Sequence, residues 1–355
     1  MKPSVALIPL SAIYSAVTRT RLAAYRRGWF SVSKLDAPVI SVGNLTTGGT
    51  GKTPLVEWVC RAIASGGTAE DLREGKRVCV LTRGYGRDNP KTQVVVSNGV
   101  ELLAGEREAG DEPFLLAQNL LGIAAVVANR DRVAAGEWAV KNLNAECFVL
   151  DDGFQHLRLA RDLDIVTIDA TNPWGGGSLL PSGRLREPRA GLSRADCVVI
   201  TRVDQSEDLP SVRAAVEQLV GTVPVFSSRM VTSGIRKLDG ESADTESLQA
   251  QTPGAFCGVE NPESFFNHLR REGFAPAFTR AFADHHKYNQ SDIDALVNEA
   301  KSRGAEGLIT TAKDAIKLSA LNLALPCYVL EIQILIDEQD RLVEMIRTAC
   351  QNRER

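Results

Sequence analysis

The 355-residue chain lacks the marks of several protein classes at once. It has no Cys-x-x-Cys pair. Its seven cysteines, at positions 60, 79, 147, 197, 257, 327 and 350, are scattered, several of them in apolar runs such as Val78-Cys79-Val80. That pattern excludes a disulfide framework and a thiolate zinc site, and it fits reduced cysteine in the core of a cytosolic protein. Four histidines are too few for a His-rich metal centre. Positive charge is not in surplus, since a net charge of −3 gives no support to general nucleic-acid binding. The uncharged stretch at 4–18, SVALIPLSAIYSAVT, is short for a membrane span and is interrupted by Pro9. Internal repeats and low-complexity tracts are missing. What remains is an ordinary α/β composition, 44% hydrophobic and 24% charged, at a length that suits two domains or one large one.

Against that background the segment 38–55, PVISVGNLTTGGTGKTPL, carries the most information. A β-branched run, Val39-Ile40-Ser41-Val42, feeds a glycine-rich loop closed by Lys52 and Thr53, and a helical pattern follows. This is a phosphate cradle made of Thr47, Gly48, Gly49, Thr50, Gly51, Lys52 and Thr53. Its glycines let backbone amides approach phosphates, the lysine reaches the β/γ oxygens, and the Thr53 hydroxyl suits Mg²⁺. The helix adds its positive end. The strict motif wants glycine where Thr46 stands.

Past the cradle, strand-like runs alternate with helical stretches. Strands are predicted at 78–81, 124–128, 147–150, 164–168 and 197–200, and the alternation argues for a mostly parallel, doubly wound sheet with helices on both faces. Ligands bind such sheets at the carboxyl ends of strands. Residues beyond those ends are rich in chemistry: Thr82-Arg83-Gly84-Tyr85-Gly86-Arg87, Asn129-Arg130-Asp131-Arg132, Asp151-Asp152-Gly153-Phe154-Gln155-His156 and Thr201-Arg202-Val203-Asp204. In a parallel sheet these loops share one rim with the cradle. Residues 230–253 are polar and aperiodic and read as a connector or an excursion. A second α/β portion follows, with strands near 255–259, 308–311 and 327–332 and helices near 262–272, 291–303 and 338–350.

Phe148-Val149-Leu150-Asp151-Asp152 is an apolar strand ending in two acids, and in phosphate-cradle enzymes such an acid holds Mg²⁺. Transfer to a hydroxyl also needs a group to accept its proton. The candidates are Asp111, in Gly110-Asp111-Glu112-Pro113, and the run Asp284-His285-His286. On spacing alone Asp111 reads as a helix cap and the histidines as a surface loop. Arginines 83, 87, 130, 132, 184, 186 and 202 are candidates for gripping phosphate, because a planar guanidinium holds oxyanions in bidentate fashion. The Gly/Pro-rich stretch 173–188 suits a lid or substrate loop, with a plain surface loop as the default reading.

The amino-terminal stretch has its own logic. Leu10, Ile13, Tyr14 and Val17 recur at helical spacing, with Ser11, Ser15 and Thr18 opposite, and Arg19, Arg21, Arg26, Arg27, Trp29 and Phe30 follow. Such a helix suits an anionic membrane surface, or else packs on the protein's own core. In a signal peptide the charges precede the apolar run, whereas most of these follow it.

The blocks VGNLTTGGTGKTP (42–54), LTRGYGR (81–87), GDEP (110–113), NRDR (129–132), LDDGFQH (150–156), LLPSGRLREP (179–188), ADHHKY (283–288) and TTAKDAIKL (310–318) resemble, in order, the tetraacyldisaccharide 4'-kinase (lipid A 4'-kinase) family of Gram-negative bacteria. The resemblance implies transfer of the ATP γ-phosphoryl group to the 4'-hydroxyl of a tetraacyldisaccharide 1-phosphate. It implies peripheral association with the cytoplasmic face of the inner membrane, no obligate protein partner, and ATP and Mg²⁺ as cofactors. It assigns Lys52 and Thr53 to phosphates and metal, Asp151 and Asp152 to the metal, and Asp111 with His285 to catalysis. Asn44, Arg83, Tyr85, Glu112, Arg130, Gln155, His156, Arg186 and Glu187 are implied near substrate or phosphates. The expected organisation is a membrane-surface helix at 1–30, a phosphate-loop core at 31–228, and a smaller C-terminal α/β domain at 229–355 closing the nucleotide cleft. Ala283 and Ala312 depart from the family's usual Pro and Glu, and Arg202 stands near its usual Lys. The competing class is a switch ATPase or GTPase of the partition or metal-delivery type, which acts through a protein partner. The partition type places a lysine where Thr47 stands.

Overall fold

The computed structural model describes residues 7–65 and 77–351, and two compact units partition them, Met1–Arg229 with Ile336–Arg355, and Met230–Leu335. Helix α1 (Ile8–Arg26) opens the first unit. Then come β1 (Val39–Asn44), α2 (Lys52–Ala64), β2 (Val78–Thr82), β3 (Val94–Ser97), α3 (Glu106–Ala109), α4 (Asp111–Asn119), β4 (Ala124–Ala128), α5 (Arg132–Leu143), β5 (Cys147–Asp151), β6 (Leu163–Asp169), β7 (Cys197–Thr201), α6 (Leu209–Val220) and β8 (Val225–Lys237).

The strand order of this unit is β8-β7-β6-β1-β5-β2-β4-β3. The pairs from β8 to β4 are parallel, and β3 alone is antiparallel, against β4. Strands β1, β2, β4, β5, β6 and β7 are buried along their whole length, so they read as continuous apolar runs and not as alternation. One core cluster joins Val133, Ala135 and Ala139 of α5 to Val39, Leu81, Phe148 and Leu150; another joins Val216 and Val220 of α6 to Val166, Ile168, Val198 and Ile200. Strand β1 lies between β5 and β6, in register Val42↔Asp151 and Asn44↔Thr167. The chain leaves β1 at the centre of the sheet and enters α2 there, the kind of position where open α/β sheets bind ligands.

The second unit contains α7 (Thr245–Ala250), β9 (Gly254–Cys257), α8 (Pro262–Arg271), β10 (Phe278–Ala281), α9 (Gln290–Ser302), β11 (Leu308–Thr311), α10 (Ala312–Ala315) and β12 (Cys327–Ile336). Its strands run β10-β9-β11-β12, parallel throughout, with the later part of β8 beside β12. The last helix, α11 (Gln339–Gln351), belongs to the first unit, where it contacts α2 and β1. There the sulfurs of Cys350 and Cys147 lie 3.5 Å apart, and all seven cysteines are buried thiols.

The expected connector at 230–253 is corrected: β8 continues through it to Lys237, and α7 follows. The polar residues that hid the strand have partners. Thr232 bonds His268 at 3.0 Å, and Arg236 pairs with Glu331 at 2.7 Å, while Met230 and Ile235 turn into the core.

Candidate active site

The cradle lies where β1 meets α2. Gly48 (φ +133°) and Gly51 (φ +78°) take left-handed backbone that suits glycine, and Lys52 is the first residue of α2. Thr46 is not left-handed; it pairs in antiparallel fashion with Leu185, so no glycine is required there. The neighbouring Thr47 N–H donates to the Arg184 carbonyl at 2.7 Å, which fastens the substrate-loop candidate 173–188 to the cradle.

Asp151 ends β5 and Asp152 follows in left-handed backbone. The Thr82 hydroxyl, at the end of β2, donates to Asp151 at 2.8 Å. Burial, then the charges of Asp152 and Glu112, push the Asp151 carboxyl up to about 6. Asp152 goes the other way. Burial alone would raise it, but Lys52, 3.7 Å away, and Arg186 hold it below its ordinary value. Arg186 grips both of its oxygens, at 2.6 and 2.7 Å. Arg132, buried at the head of α5, is lowered to about 10 by its desolvation, which the charges of Asp151 and Asp152 oppose.

The RGYGR and GDEP blocks meet. Gly110 precedes α4 with φ +89°, and a Cβ on it would lie 2.2 Å from the Tyr85 carbonyl oxygen. Glycine is therefore demanded twice over, and the close approach sets buried Asp111 beside the 83–87 loop. Asp111 is not the cap of α4, as spacing alone had it; Gly110 holds that position, and the Asp111 carboxylate accepts the Glu112 N–H at 3.0 Å. Arg83 and Tyr85 are exposed and stacked, 5.8 Å apart, and Arg130 is exposed. Arg87 is spoken for. Its guanidinium donates to the carbonyls of Ala128 and Pro90 at 2.9 and 2.8 Å, which makes it a loop staple.

Gln155 links three segments. Its amide donates to the Asn44 carbonyl at 2.8 Å and to Glu187 at 2.9 Å. Glu187 is further held by Arg194, at 2.6 and 3.1 Å. His156 is lowered to about 4 by burial and by Arg132 and Arg161, so it is neutral near pH 7. Helix α1 reaches the same place. Tyr14 donates to the Arg186 carbonyl at 3.0 Å, Arg21 to the Gln155 carbonyl at 3.2 Å, and Ser11 to the Leu179 carbonyl at 2.9 Å. Of the expected apolar stripe only Tyr14 faces the protein, with Ser11 and Ala24 buried on the same helix, while Ile13 (62%) and Val17 (59%) are exposed.

His285 and His286 belong to the second unit and differ sharply. His286 stacks on Phe282 at 4.7 Å, meets Tyr288 edge-on at 4.9 Å and bonds Asp292 at 3.0 Å. His285 is half-buried like His286, its side chain only somewhat more exposed, in left-handed backbone (φ +57°), with Asp284 3.6 Å from its Nε2. Lys313 holds the same Asp284 at 3.2 Å. Asp314 is buried and accepts from Gly258, Thr311 and Tyr288 at 3.0, 2.7 and 3.1 Å, a staple for the unit.

The first unit therefore links Asn44, Gln155, Glu187, Arg186, Asp152 and Lys52 through hydrogen bonds and ion pairs, and Asp151, next in sequence to Asp152, is held by Thr82. Sequence reasoning passed over Thr82, Asp169, Arg194 and Thr201. Thr82 and Thr201 lie in blocks already singled out; Asp169 and Arg194 carry no motif.

A parallel sheet with a phosphate loop on its central strand, a lysine heading the next helix and a carboxylate pair on the neighbouring strand defines the phosphate-loop kinase fold. Comparison with known proteins narrows the class. The model of the Tetraacyldisaccharide-1-P 4'-kinase family matches residues 3–351, and the chain belongs to that family. Proteins named Tetraacyldisaccharide 4'-kinase from Geobacter metallireducens and Geobacter sulfurreducens are 43% and 42% identical, covering 88% and 90% of this chain and 88% and 85% of their own. The crystal structure of LpxK from Aquifex aeolicus in complex with ATP superimposes with a TM-score of 0.77 at 31% identity, covering 97% of this chain and 98% of that one. The switch-protein alternative is not favoured by these matches.

Proposed function

We propose that the chain transfers the γ-phosphoryl group of ATP to the 4'-hydroxyl of a tetraacyldisaccharide 1-phosphate in lipid A assembly. One observation carries the reading: buried Asp111, at the start of α4, lies against the loop after β2, and the Asp151–Asp152 pair closes β5, the strand beside β1, with Asp152 3.7 Å from Lys52 of the cradle. The cradle amides and Lys52 bind and orient the triphosphate. The 4'-oxygen attacks the γ-phosphorus, the bond to the β–γ bridging oxygen breaks, and ADP leaves. Asp111 takes the hydroxyl proton. Of the two histidines of the second unit, His285 is the one assigned to catalysis, because His286 is enclosed by Phe282, Tyr288 and Asp292.

The donor set fits Mg²⁺. Asp151, Asp152 and Thr53 offer hard oxygen ligands, and the described residues hold no group of three or more His, Cys, Asp or Glu that would cage a metal alone. Mg²⁺ prefers one or two carboxylates plus substrate phosphates. When bound, it neutralises developing phosphate charge. Arg186 and Lys52 already balance Asp152, so both cations are at hand for phosphate oxygens.

Residues 1–30 dock the protein peripherally on the cytoplasmic face of the inner membrane. Among the described residues no helix is long and apolar enough to cross it. The outward Ile8, Leu10, Ile13 and Val17, with Trp29 and Phe30, suit an interfacial position, and the arginines suit anionic headgroups. Residues 31–228 are the phosphate-loop kinase core, and 229–355 the smaller C-terminal α/β domain, which carries His285.

The test is phosphate transfer to a tetraacyl diglucosamine 1-phosphate by purified protein with Mg-ATP, read by mass. Asp111→Ala should reduce kcat by about a thousandfold while ATP binding persists. Unchanged kcat removes Asp111 as the base. Absence of transfer, with hydrolysis that a protein partner stimulates, would return the chain to the switch class.

A further inference from the structure

Three consecutive carbonyls of the phosphate loop are held, the first of them, Gly48, also by the Thr50 N–H at 2.9 Å and by the Lys52 ammonium at 3.5 Å. The Asn44 amide lies 3.4 Å from the Gly48 oxygen, the Arg202 guanidinium donates to Gly49 at 2.7 Å, and the Thr201 hydroxyl donates to Thr50 at 3.0 Å. The Thr50 hydroxyl is itself fixed between Asn44, at 2.9 Å, and Thr167, at 2.8 Å. A carbonyl turned toward a bound phosphate would set the negative end of its dipole against an anion. A trans peptide points its N–H opposite to its C=O, so holding the Thr50 carbonyl turns the Gly51 amide the other way. The peptide before it is the one that Arg202 holds.

Arg202 is built for this task. It follows β7 directly in left-handed backbone (φ +55°), a costly conformation for arginine that persists where its surroundings enforce it. One arm of its guanidinium meets Asp169, at the end of β6, and the other reaches Gly49. Asp169 cannot swing, because its second oxygen accepts both the N–H and the hydroxyl of Thr171, at 3.0 and 2.8 Å. A planar fork can serve two acceptors at fixed angles, which an ammonium cannot do.

We propose that Arg202 and Asp169 are positioning residues for the nucleotide. Asp169 aims the guanidinium, and the guanidinium sets the Gly49–Thr50 peptide, so the loop is formed before the triphosphate arrives. Arg202 acts through the loop backbone and not by gripping phosphate itself. The inference rests on the loop being the ATP phosphate site.

The experiment compares Arg202→Ala, Arg202→Lys, Asp169→Asn and the double variant Arg202→Ala/Asp169→Asn. ATP affinity is read by titration calorimetry, and KM and kcat by the transfer assay. Arg202→Ala should raise Kd and KM for ATP about tenfold, with a smaller change in kcat and none in KM for the lipid. Arg202→Lys should recover little of the loss. Asp169→Asn should raise KM for ATP in the same direction, and the double variant should be no worse than Arg202→Ala, because the two residues act in series. Wild-type KM in Asp169→Asn beside a weakened Arg202→Ala would mean that Arg202 grips the phosphate directly. Additive effects, or an unchanged KM in Arg202→Ala, would also overturn the proposal. Loss of fold in the alanine variant leaves the test with Arg202→Lys and Asp169→Asn, judged by the same KM criterion. Failure of the wild-type protein to bind ATP would instead defeat the reading of the loop.

Discussion

Asp151→Asn should make the metal-free protein more stable while removing its activity. The folded Asp151 carboxyl keeps its proton up to about 6, against an ordinary value of 3.8, because it is buried and faces the charges of Asp152 and Glu112. Between those two values the folded protein binds more protons than the unfolded chain, so stability falls as pH rises through the window, and the full cost stands above it. A rise of about two units corresponds to about 3 kcal/mol at pH 8, and to roughly half of that at pH 5. Asparagine carries no charge to desolvate, and its oxygen can keep the hydrogen bond from Thr82. Urea denaturation in chelator should therefore find the variant more stable by up to about 3 kcal/mol at pH 8, the advantage shrinking steadily toward pH 4. In the same buffers Mg-ATP should stabilise the wild type more than the variant, and the variant should lose transfer. An advantage that does not change with pH, or a variant less stable than wild type at pH 8, would refute the reasoning.

Other perturbations separate support from chemistry. Replacing Ile13 and Val17 together by Glu should leave the melting temperature unchanged, because both are exposed, yet lower partition onto anionic vesicles by more than about tenfold; undiminished vesicle binding would reject α1 as the docking element. Arg194→Met leaves Glu187 buried without its bidentate partner and should cost about 3 kcal/mol by denaturation, where an unchanged midpoint would mean Gln155 alone suffices. His286→Ala should destabilise the protein by about 1–2 kcal/mol through its lost stack and its bond to Asp292. His285→Ala should instead spare stability and depress kcat, and the opposite pattern would exchange the two assignments.

The fully buried strands were the easiest elements to read, because a strand covered on both faces is apolar without interruption. The phosphate loop was legible for a similar reason: its glycines answer to backbone geometry that other residues rarely adopt. Three things were harder to see. The later part of β8 is polar, and its side chains are satisfied by His268 and Glu331, partners distant in sequence. Arg87 and Arg186 look alike as strand-end arginines, yet one closes on carbonyls and the other on Asp152. The support of the site, from Asp169, Arg194 and Thr201, consists of single residues whose meaning appears only once β6 stands beside β1, β7 stands beside β6, and the chain beyond β6 folds back. A motif records what must touch phosphate. The residues that aim a motif obey tertiary geometry and leave a weaker imprint on local sequence.

Helix α1 shows the difference most clearly. An amphipathic helix of a globular protein ordinarily turns its apolar side inward. Here the inward side is small and partly polar, Ser11, Tyr14 and Ala24, and it meets a row of loop carbonyls at Leu179, Gln155 and Arg186. Hydrogen bonds from Ser11, Arg21 and Tyr14 fix the helix, and the apolar side is left facing outward. Each large apolar side chain so displayed forgoes roughly 1.5–3 kcal/mol that burial would return. An aqueous role gives no reason to keep Ile8, Leu10, Ile13 and Val17 in that arrangement, whereas a lipid substrate does. The same backbone carbonyls that anchor the helix belong to Gln155, which touches Glu187, and to Arg186, which grips Asp152. The surface that would meet the bilayer and the carboxylate that would meet the metal are thus two hydrogen bonds apart, through Tyr14 and Arg186.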